Sequence, residues 1–458
     1  MKIAADIIWS EGQSHLNQSL EFSNGLVTGI SDADDADVTL SNHAILPGFA
    51  NAHSHSFQRV IRGRTEWSHR GQSDDFWSWR DAMYHAANRL SPKIFEAIAE
   101  WTFVEMIKAG VTVVGEFHYV HHQPNGTPYD NVAELSERVI AAAQRLGLRL
   151  THMPVAYARG GFRRPLVKEQ SRFTFDEPHG YLQLVDQLRT RYQHDSIISI
   201  GMAPHSVRAV DQAWLTECAQ ATKSWQTPTH IHACEQEREL EECAEEYGKS
   251  PIELLADLHL LTERTTLVHG THLTETDLDL IGASNALVCG CPTTEANLGD
   301  GFLPSVALLE RKVRICLGSD SNAQIDLCQE ARFVEMQQRL QLRQRNVLAR
   351  FTNLPGAIER TADVIWPMLT QHGYQSLGWD GGELAKGEVA DFIVVDLSHP
   401  SLLGVSPADL RDTLILSGQN EAIRAAYVHG KQVLKDGKCE EEDRIRNAYL
   451  NAISTLKN

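Results

Sequence analysis

Eight short apolar runs, each parted from the next by a helical stretch, constrain this chain more than anything else in it. They occupy residues 45–52, 111–119, 148–156, 196–203, 229–233, 265–268, 286–291 and 313–317. Continuous apolar runs of this length, bounded by turn residues, read as strands buried on both faces. The intervening segments carry helix signals. In 91–109, Ser91 is the N-cap, Pro92 opens the first turn and Gly110 stops the helix. Segments 131–145, closed by Gly147, and 181–192 are helical in the same way, and helices 328–345 and 356–372 follow the last strand. Eight strands with helical crossovers close into a (β/α)8 barrel. The rival, an open doubly wound sheet, would bring a Gly-x-Gly-x-x-Gly turn after a strand, and none is present.

The chain ends follow a different pattern. Residues 3–9, 19–22, 26–30 and 37–40 read as strands, with turns at Gly12 and Asn24-Gly25. Four short strands are too few to stand alone and need a partner sheet. Runs 390–396 and 423–428, with a return strand at 432–434 after Gly430-Lys431, supply one. The expected fold is therefore α/β: a TIM barrel of residues 44–379 inserted into a small split β-sandwich built from 1–43 and 380–440, with a C-terminal helix over 441–458.

Composition removes several classes of partner. The chain has 458 residues, 42% of them hydrophobic, and a formal net charge of -18. That acidic balance argues against nucleic acid as a partner. No run of about 18 apolar residues predicts a membrane span, and no apolar leader follows Met1. Eight cysteines occur without a Cys-x-x-Cys, the tightest pair being Cys289-Gly290-Cys291. Free buried thiols in a reducing cytoplasm are the expectation.

A barrel of this kind carries its chemistry at the C-terminal ends of its strands. Those ends hold His53 and His55, then Glu116, His118 and Tyr119, then His205 and Arg208, then His230, His232 and Glu235, then His269, Cys291 and finally Asp320. Side chains at i and i+2 of a strand share a face, so His53 and His55 can present two imidazoles to one point. A lone His-x-His is weak evidence in a chain with 21 histidines. Further histidines and an aspartate at the ends of strands five, six and eight make packing an insufficient account. Three imidazoles and a carboxylate suit one divalent metal ion, Zn2+ first, though Fe2+ and Mn2+ also fit such a set.

At these residues the chain resembles the amidohydrolase superfamily, in its mononuclear deaminase branch. The pieces that carry the likeness are Pro47-Gly48-Phe49-Ala50-Asn51-Ala52-His53-Ser54-His55, His230-Ile231-His232-Ala233-Cys234-Glu235, Val268-His269-Gly270-Thr271-His272 and Gly318-Ser319-Asp320-Ser321. The stretch from Gly381 to Asp391 resembles the strand that closes the superfamily's split β-domain. The resemblance implies metal ligands His53, His55, His232 and Asp320, with Glu235, His269 and Asp320 as acid–base groups. His232 is preferred to His230 because the branch pattern is His-x-x-Glu, which pairs His232 with Glu235. Binuclear members bridge two ions with a lysine at the end of strand four; residues 196–208 contain none. By the same analogy the protein is a homodimer.

Arginines point to a small anionic substrate. Arg59, Arg62 and Arg64 follow the first metal pair, Arg80 follows Trp77-Ser78-Trp79, and Arg208 lies just past His205. A guanidinium fork binds carboxylates bidentately. Segments 51–67, 76–84, 115–122 and 203–210 carry a closer likeness to deiminases of acidic, amino-acid-derived amidines. It implies Arg80 for one substrate carboxylate, Arg208 with Tyr119 for the other, and Gln58 with His205 for the amidine end. His118 and the doublet His121-His122 are the places where this alignment can slip, and the doublet is expected in an exposed loop.

Overall fold

Pro47 and Gly48 divide one apolar run between two sheets. In the computed structural model, which describes all residues except 69, 71–73, 354–356 and 458, the run 44–50 serves two elements. Strands β1 (Lys2–Ser10), β2 (Gln13–Ser23), β3 (Leu26–Asp32) and β4 (Val38–Pro47) come first. The barrel strand β5 (Phe49–Ser54) follows β4 with Gly48 alone between them. The sequence placed a single strand over 45–52. The break falls where Pro47 has no N–H to continue a ladder and where a Cβ on Gly48 would sit 2.1 Å from Thr112 Oγ1.

The barrel continues through β6 (Val111–His118), β7 (Arg149–Ala156), β8 (Ile198–Ile200), β9 (Ala203–Pro204), β10 (Thr229–Ala233), β11 (Thr265–His269), β12 (Leu287–Gly290) and β13 (Arg314–Leu317). Strands β5 to β8 pair in parallel, as do β10 to β13. Parallel bridges Met202–Thr229 and Ser206–His232 join the two arcs on one side, and Ser54–Asp320 joins them on the other. Barrel strand four, expected as one piece over 196–203, is in two, because Gly201 N donates to His152 O while Met202 N turns to Pro228 O.

The last strands are β14 (Phe392–Asp396), β15 (Ile423–Val428), β16 (Lys431–Lys435) and β17 (Lys438–Cys439). They join the first four in one mixed sheet of order β17-β16-β15-β14-β4-β1-β2-β3. Two strands separate β2 from β14, so in a flat sheet they would lie about 14 Å apart. Yet the rings of Phe22 and Phe392 are 5.3 Å apart, and Val27 N donates to Glu388 O. The sheet therefore rolls over on a core of its own, including Ile3, Leu20, Ile45, Val394 and Tyr427.

Helix α1 (Phe76–Ala87) is capped by Asp75, which accepts from Trp77 N and Ser78 N. Helix α2 (Pro92–Lys108) is capped by Ser91, as its sequence indicates. The helix expected over 356–372 is instead two, Thr361–Leu369 and Gln371–Ser376. Pro367 cannot donate inside the first, and Thr370 leaves helical geometry at φ −124°, ψ −98°. Residue 356 lies outside the described residues. The chain closes on helix Glu442–Lys457. No helix among the described residues is long and apolar enough to cross a membrane.

A buried ion pair ties the rolled sheet to the barrel. Arg149, at the start of β7, donates Nε and Nη2 to Asp391 at 2.7 and 3.0 Å, with both side chains sealed from solvent. Asp391 also accepts from Tyr374 Oη and from His429 N. These contacts lie at the N-terminal ends of the strands, opposite the functional residues.

Candidate metal centre and active site

Four side chains converge at the C-terminal mouth of the barrel. His53 Nε2 lies 3.2 Å from His55 Nε2 and 3.1 Å from His232 Nε2. Asp320 Oδ1 lies 3.5 Å from His53 Nε2 and 3.3 Å from His55 Nε2. All four are buried. Hydrogen bonding settles the tautomers. His55 Nδ1 faces Phe117 O at 2.8 Å and His232 Nδ1 faces His205 O at 3.1 Å. A carbonyl only accepts, so both rings carry the proton on Nδ1 and turn an Nε2 lone pair inward. Burial, the largest influence, lowers the His53 pKa to about 3 and the His232 pKa well below its usual value, so both rings stay neutral. Lone pairs and a carboxylate facing one another at these distances repel unless a cation lies among them. The donor set fits one divalent ion.

The backbone that places these groups is shared between the first and last barrel strands. Asp320 N donates to His53 O at 3.0 Å and His55 N donates to Asp320 O at 2.9 Å. Beneath them Asn51 and Ser319 exchange two bonds, Asn51 Nδ2 to Ser319 Oγ at 2.7 Å and Ser319 N to Asn51 Oδ1 at 2.9 Å. Asn322 Nδ2 reaches Ser54 Oγ, His55 O and Asp320 O. A Cβ on Gly318 would stand 2.8 Å from His53 O and 2.9 Å from His53 N, so only glycine permits this approach. Asp320, His269 and Cys234 hold left-handed backbone at φ 44°, 77° and 55°, a strain of about 1–3 kcal/mol each that surrounding structure must over-determine.

Glu235 and His269 stand beside the donor set. His269 Nε2 is 3.6 Å from Glu235 Oε1 and 3.9 Å from Asp320 Oδ2. Burial alone would depress the His269 pKa; the charge of Glu235, the hydrogen bond to Glu295 and the charge of Asp320 push it up to about 10. Glu235 is pinned through its backbone, its N–H on Glu239 Oε2 and its C=O accepting from Thr271 Oγ1.

The cavity over this group is lined by Gln58, Arg80, Tyr119, His205 and Arg208, together with Phe76, Trp79, Met83, Tyr84 and Tyr157. Gln58 Nε2 donates to Tyr119 Oη at 2.8 Å, and His205 Nδ1 meets Ser206 Oγ at 3.0 Å. Arg208 is buried, 3.9 Å from Glu235 Oε2. Its Nη1 and the Nε of Arg80 are buried without a protein acceptor. Both guanidinium groups lie against Trp77, at 5.6 and 4.6 Å.

Other sequence candidates fall elsewhere. Arg59 and Arg62 turn away from the cavity and pair with Glu105. His230 shares the face of His232 but lies two residues, about 6–7 Å, nearer the start of the strand, and its Nε2 is spent on Ser376 O. His118 packs against Phe95 and His152. His121 and His122 are buried on Val155 O and Thr174 O, not in an exposed loop, because residues 121–122 pair with Arg172 O through their own N–H groups.

Two buried carboxyls beside the site escaped the sequence reading. Glu295 Oε1 lies 3.3 Å from His269 Nδ1. Asp300 completes a cluster with Glu235 and His269; burial, then the charge of Glu235, pushes its pKa up to about 9. Both follow barrel strand seven, whose end the sequence marked only at Cys291-Pro292. The signal was the position of Glu295, one turn into a helix starting at a strand end.

A closed parallel barrel with a three-histidine, one-aspartate donor set and adjoining acid–base groups at its mouth defines a hydrolase of metal-assisted type. The chain belongs to the amidohydrolase family, whose model matches residues 44–433. Formimidoylglutamate deiminase of Pseudomonas aeruginosa is 36% identical to it over 90% of this chain and 89% of its own. A 5-methylthioadenosine/S-adenosylhomocysteine deaminase of Halobacterium salinarum is 28% identical over 90% of this chain and 86% of its own. An amidohydrolase crystal structure from Brucella melitensis superposes with a TM-score of 0.90 at 33% identity, covering both chains completely. The class of activity is hydrolysis of C–N bonds.

Proposed function

We propose that this protein hydrolyses N-formimidoyl-L-glutamate to N-formyl-L-glutamate and ammonia, a step in histidine degradation. The observation that carries the reading is the pair of guanidinium groups, Arg80 and Arg208, each with a buried N–H lacking a protein acceptor, facing the cavity that holds the donor set. A substrate with two carboxylates satisfies both. Arg80 takes one carboxylate; Arg208, with the Tyr119 hydroxyl, takes the other. Gln58, whose Oε1 is also without a partner, and His205 hold the formimidoyl nitrogen.

His53, His55, His232 and Asp320 would hold the metal, Zn2+ by the N/O character of the set. A divalent cation there supplies Lewis acidity and lowers the pKa of water from 15.7 towards ~7. Glu235 accepts a proton from the attacking water and returns it to the leaving nitrogen. His269 stabilises charge developing at the amidine carbon, and Asp320 passes the second proton. Water adds to the C=N carbon, and the tetrahedral carbon collapses to the formyl product with loss of NH3.

A second reading, deamination of a purine or pyrimidine ring, is favoured by the aromatic wall of Phe76, Trp79, Tyr84, Tyr119 and Tyr157. Ammonia release by Zn2+-loaded protein from formimidoylglutamate, guanine, cytosine and an adenosine derivative separates the two. Turnover of the amidine alone is expected. Turnover of a ring compound, with none of formimidoylglutamate, would overturn the first reading.

A further inference from the structure

His269 has two nitrogens, and the chemistry needs the right one on the reacting side. Nε2 faces Glu235 and Asp320; Nδ1 faces Glu295 at 3.3 Å. A half-turn about χ2 would replace Nε2 with a ring carbon and leave nothing to donate or accept beside Glu235. The ring itself has no covalent means of resisting that turn, and its backbone is in the left-handed region at φ 77°.

Glu295 is built to prevent it. The side chain is fully buried on helix Pro292–Leu298, which begins where barrel strand seven ends. Its Oε1 accepts from Cys291 N at 2.8 Å as well as from His269 Nδ1, so the carboxylate is itself fixed by backbone. Its Oε2 has no protein partner, which is costly for a buried carboxylate and points to a role beyond packing. The chain of support runs from the strand-seven terminus through Glu295 to His269 and from there to the reacting atoms.

We propose that Glu295 is a positioning residue, holding the His269 imidazole with Nε2 towards Glu235 and the substrate carbon. This rests on the acid–base role given to His269, and is independent of which amidine or ring is the substrate.

The experiment is a double-mutant cycle in the Zn2+-loaded protein, with Glu295→Ala, His269→Asn and the double variant assayed for ammonia release on the substrate that the parent turns over. Glu295→Ala should lower kcat about 10–100-fold, keep KM within about threefold and keep one metal per chain. Glu295→Gln should recover most of the rate, since an amide oxygen accepts the same two N–H groups. The double variant should be no slower than His269→Asn, because the residue through which Glu295 acts is already gone. Should Glu295→Ala not fold, Glu295→Asp, which withdraws the carboxylate by one carbon, replaces it in the cycle with the same expected pattern. Factors that multiply in the double variant, failure of Glu295→Gln to recover the rate, or loss of metal in step with activity would each overturn the proposal. A parental rate in His269→Asn alone would instead remove His269 from the mechanism, and the positioning role with it.

Discussion

In the proposed mechanism Glu235 separates proton transfer from metal binding. Its carboxylate lies 3.6 Å from His269 Nε2 and outside the four-residue donor set. Replacing it with glutamine keeps size and polarity but removes the proton acceptor. Glu235→Gln is expected to retain one metal per chain and to lose about 10²–10⁴-fold in kcat; metal analysis beside steady-state kinetics checks both parts. Arg208 has the complementary role, binding, in the proposed reading. In that reading its guanidinium contacts substrate carboxylate alike in ground and transition states, so Arg208→Ala should raise KM strongly and lower kcat much less. Unchanged kinetics would move the carboxylate site elsewhere.

At the level of elements, two approaches govern the site. Strand β13 ends against strand β5, and Gly318 lets the backbones meet where a Cβ would overlap His53. Gly318→Ala should push Asp320 away from His53 and His55, so the purified variant should hold markedly less zinc than the parent and turn over in proportion to the zinc retained. Helix α1 covers the mouth, supplying Phe76, Trp79, Arg80, Met83 and Tyr84 to the cavity lining. A substrate seated over the donor set would pack against these α1 side chains and order the helix. Amide hydrogen exchange in residues 76–87 should therefore be fast in the free protein and slow on saturation with substrate analogue, while β5 and β13 stay protected in both.

The whole molecule depends on a joint far from the chemistry. Arg149 and Asp391 pair with no solvent exposure between the barrel floor and the rolled sheet. Removing one partner strands the other as an uncompensated buried charge, at a cost of about 3–5 kcal/mol. Asp391→Ala should lower Tm clearly, whereas zinc per folded chain should hold, because the donors sit at the opposite ends of the strands. Thermal unfolding followed alongside metal content distinguishes this from damage to the site itself.

Much of this was legible in the residues alone. Apolar runs of strand length, Ser91-Pro92 and Gly110 around a helix, and the His-x-x-Glu spacing that selects His232 over His230 are local signals, readable within a few residues. They determined the barrel and the split sheet, and together with the superfamily resemblance they picked out the four donors. Tertiary structure decided what depends on approach between distant segments. Pro47-Gly48 divides one apolar run between two sheets because Thr112 lies behind it. Arg59 and Arg62 bind Glu105 while Arg80 and Arg208 face the cavity, though all four read alike as arginines near the mouth. Glu295 and Asp300 became neighbours of His269 only when strand seven came to lie beside strand six. Local periodicity says which face a side chain takes; it carries no information about which remote group will stand opposite, and that is where charge, desolvation and the fixed orientation of His269 are settled.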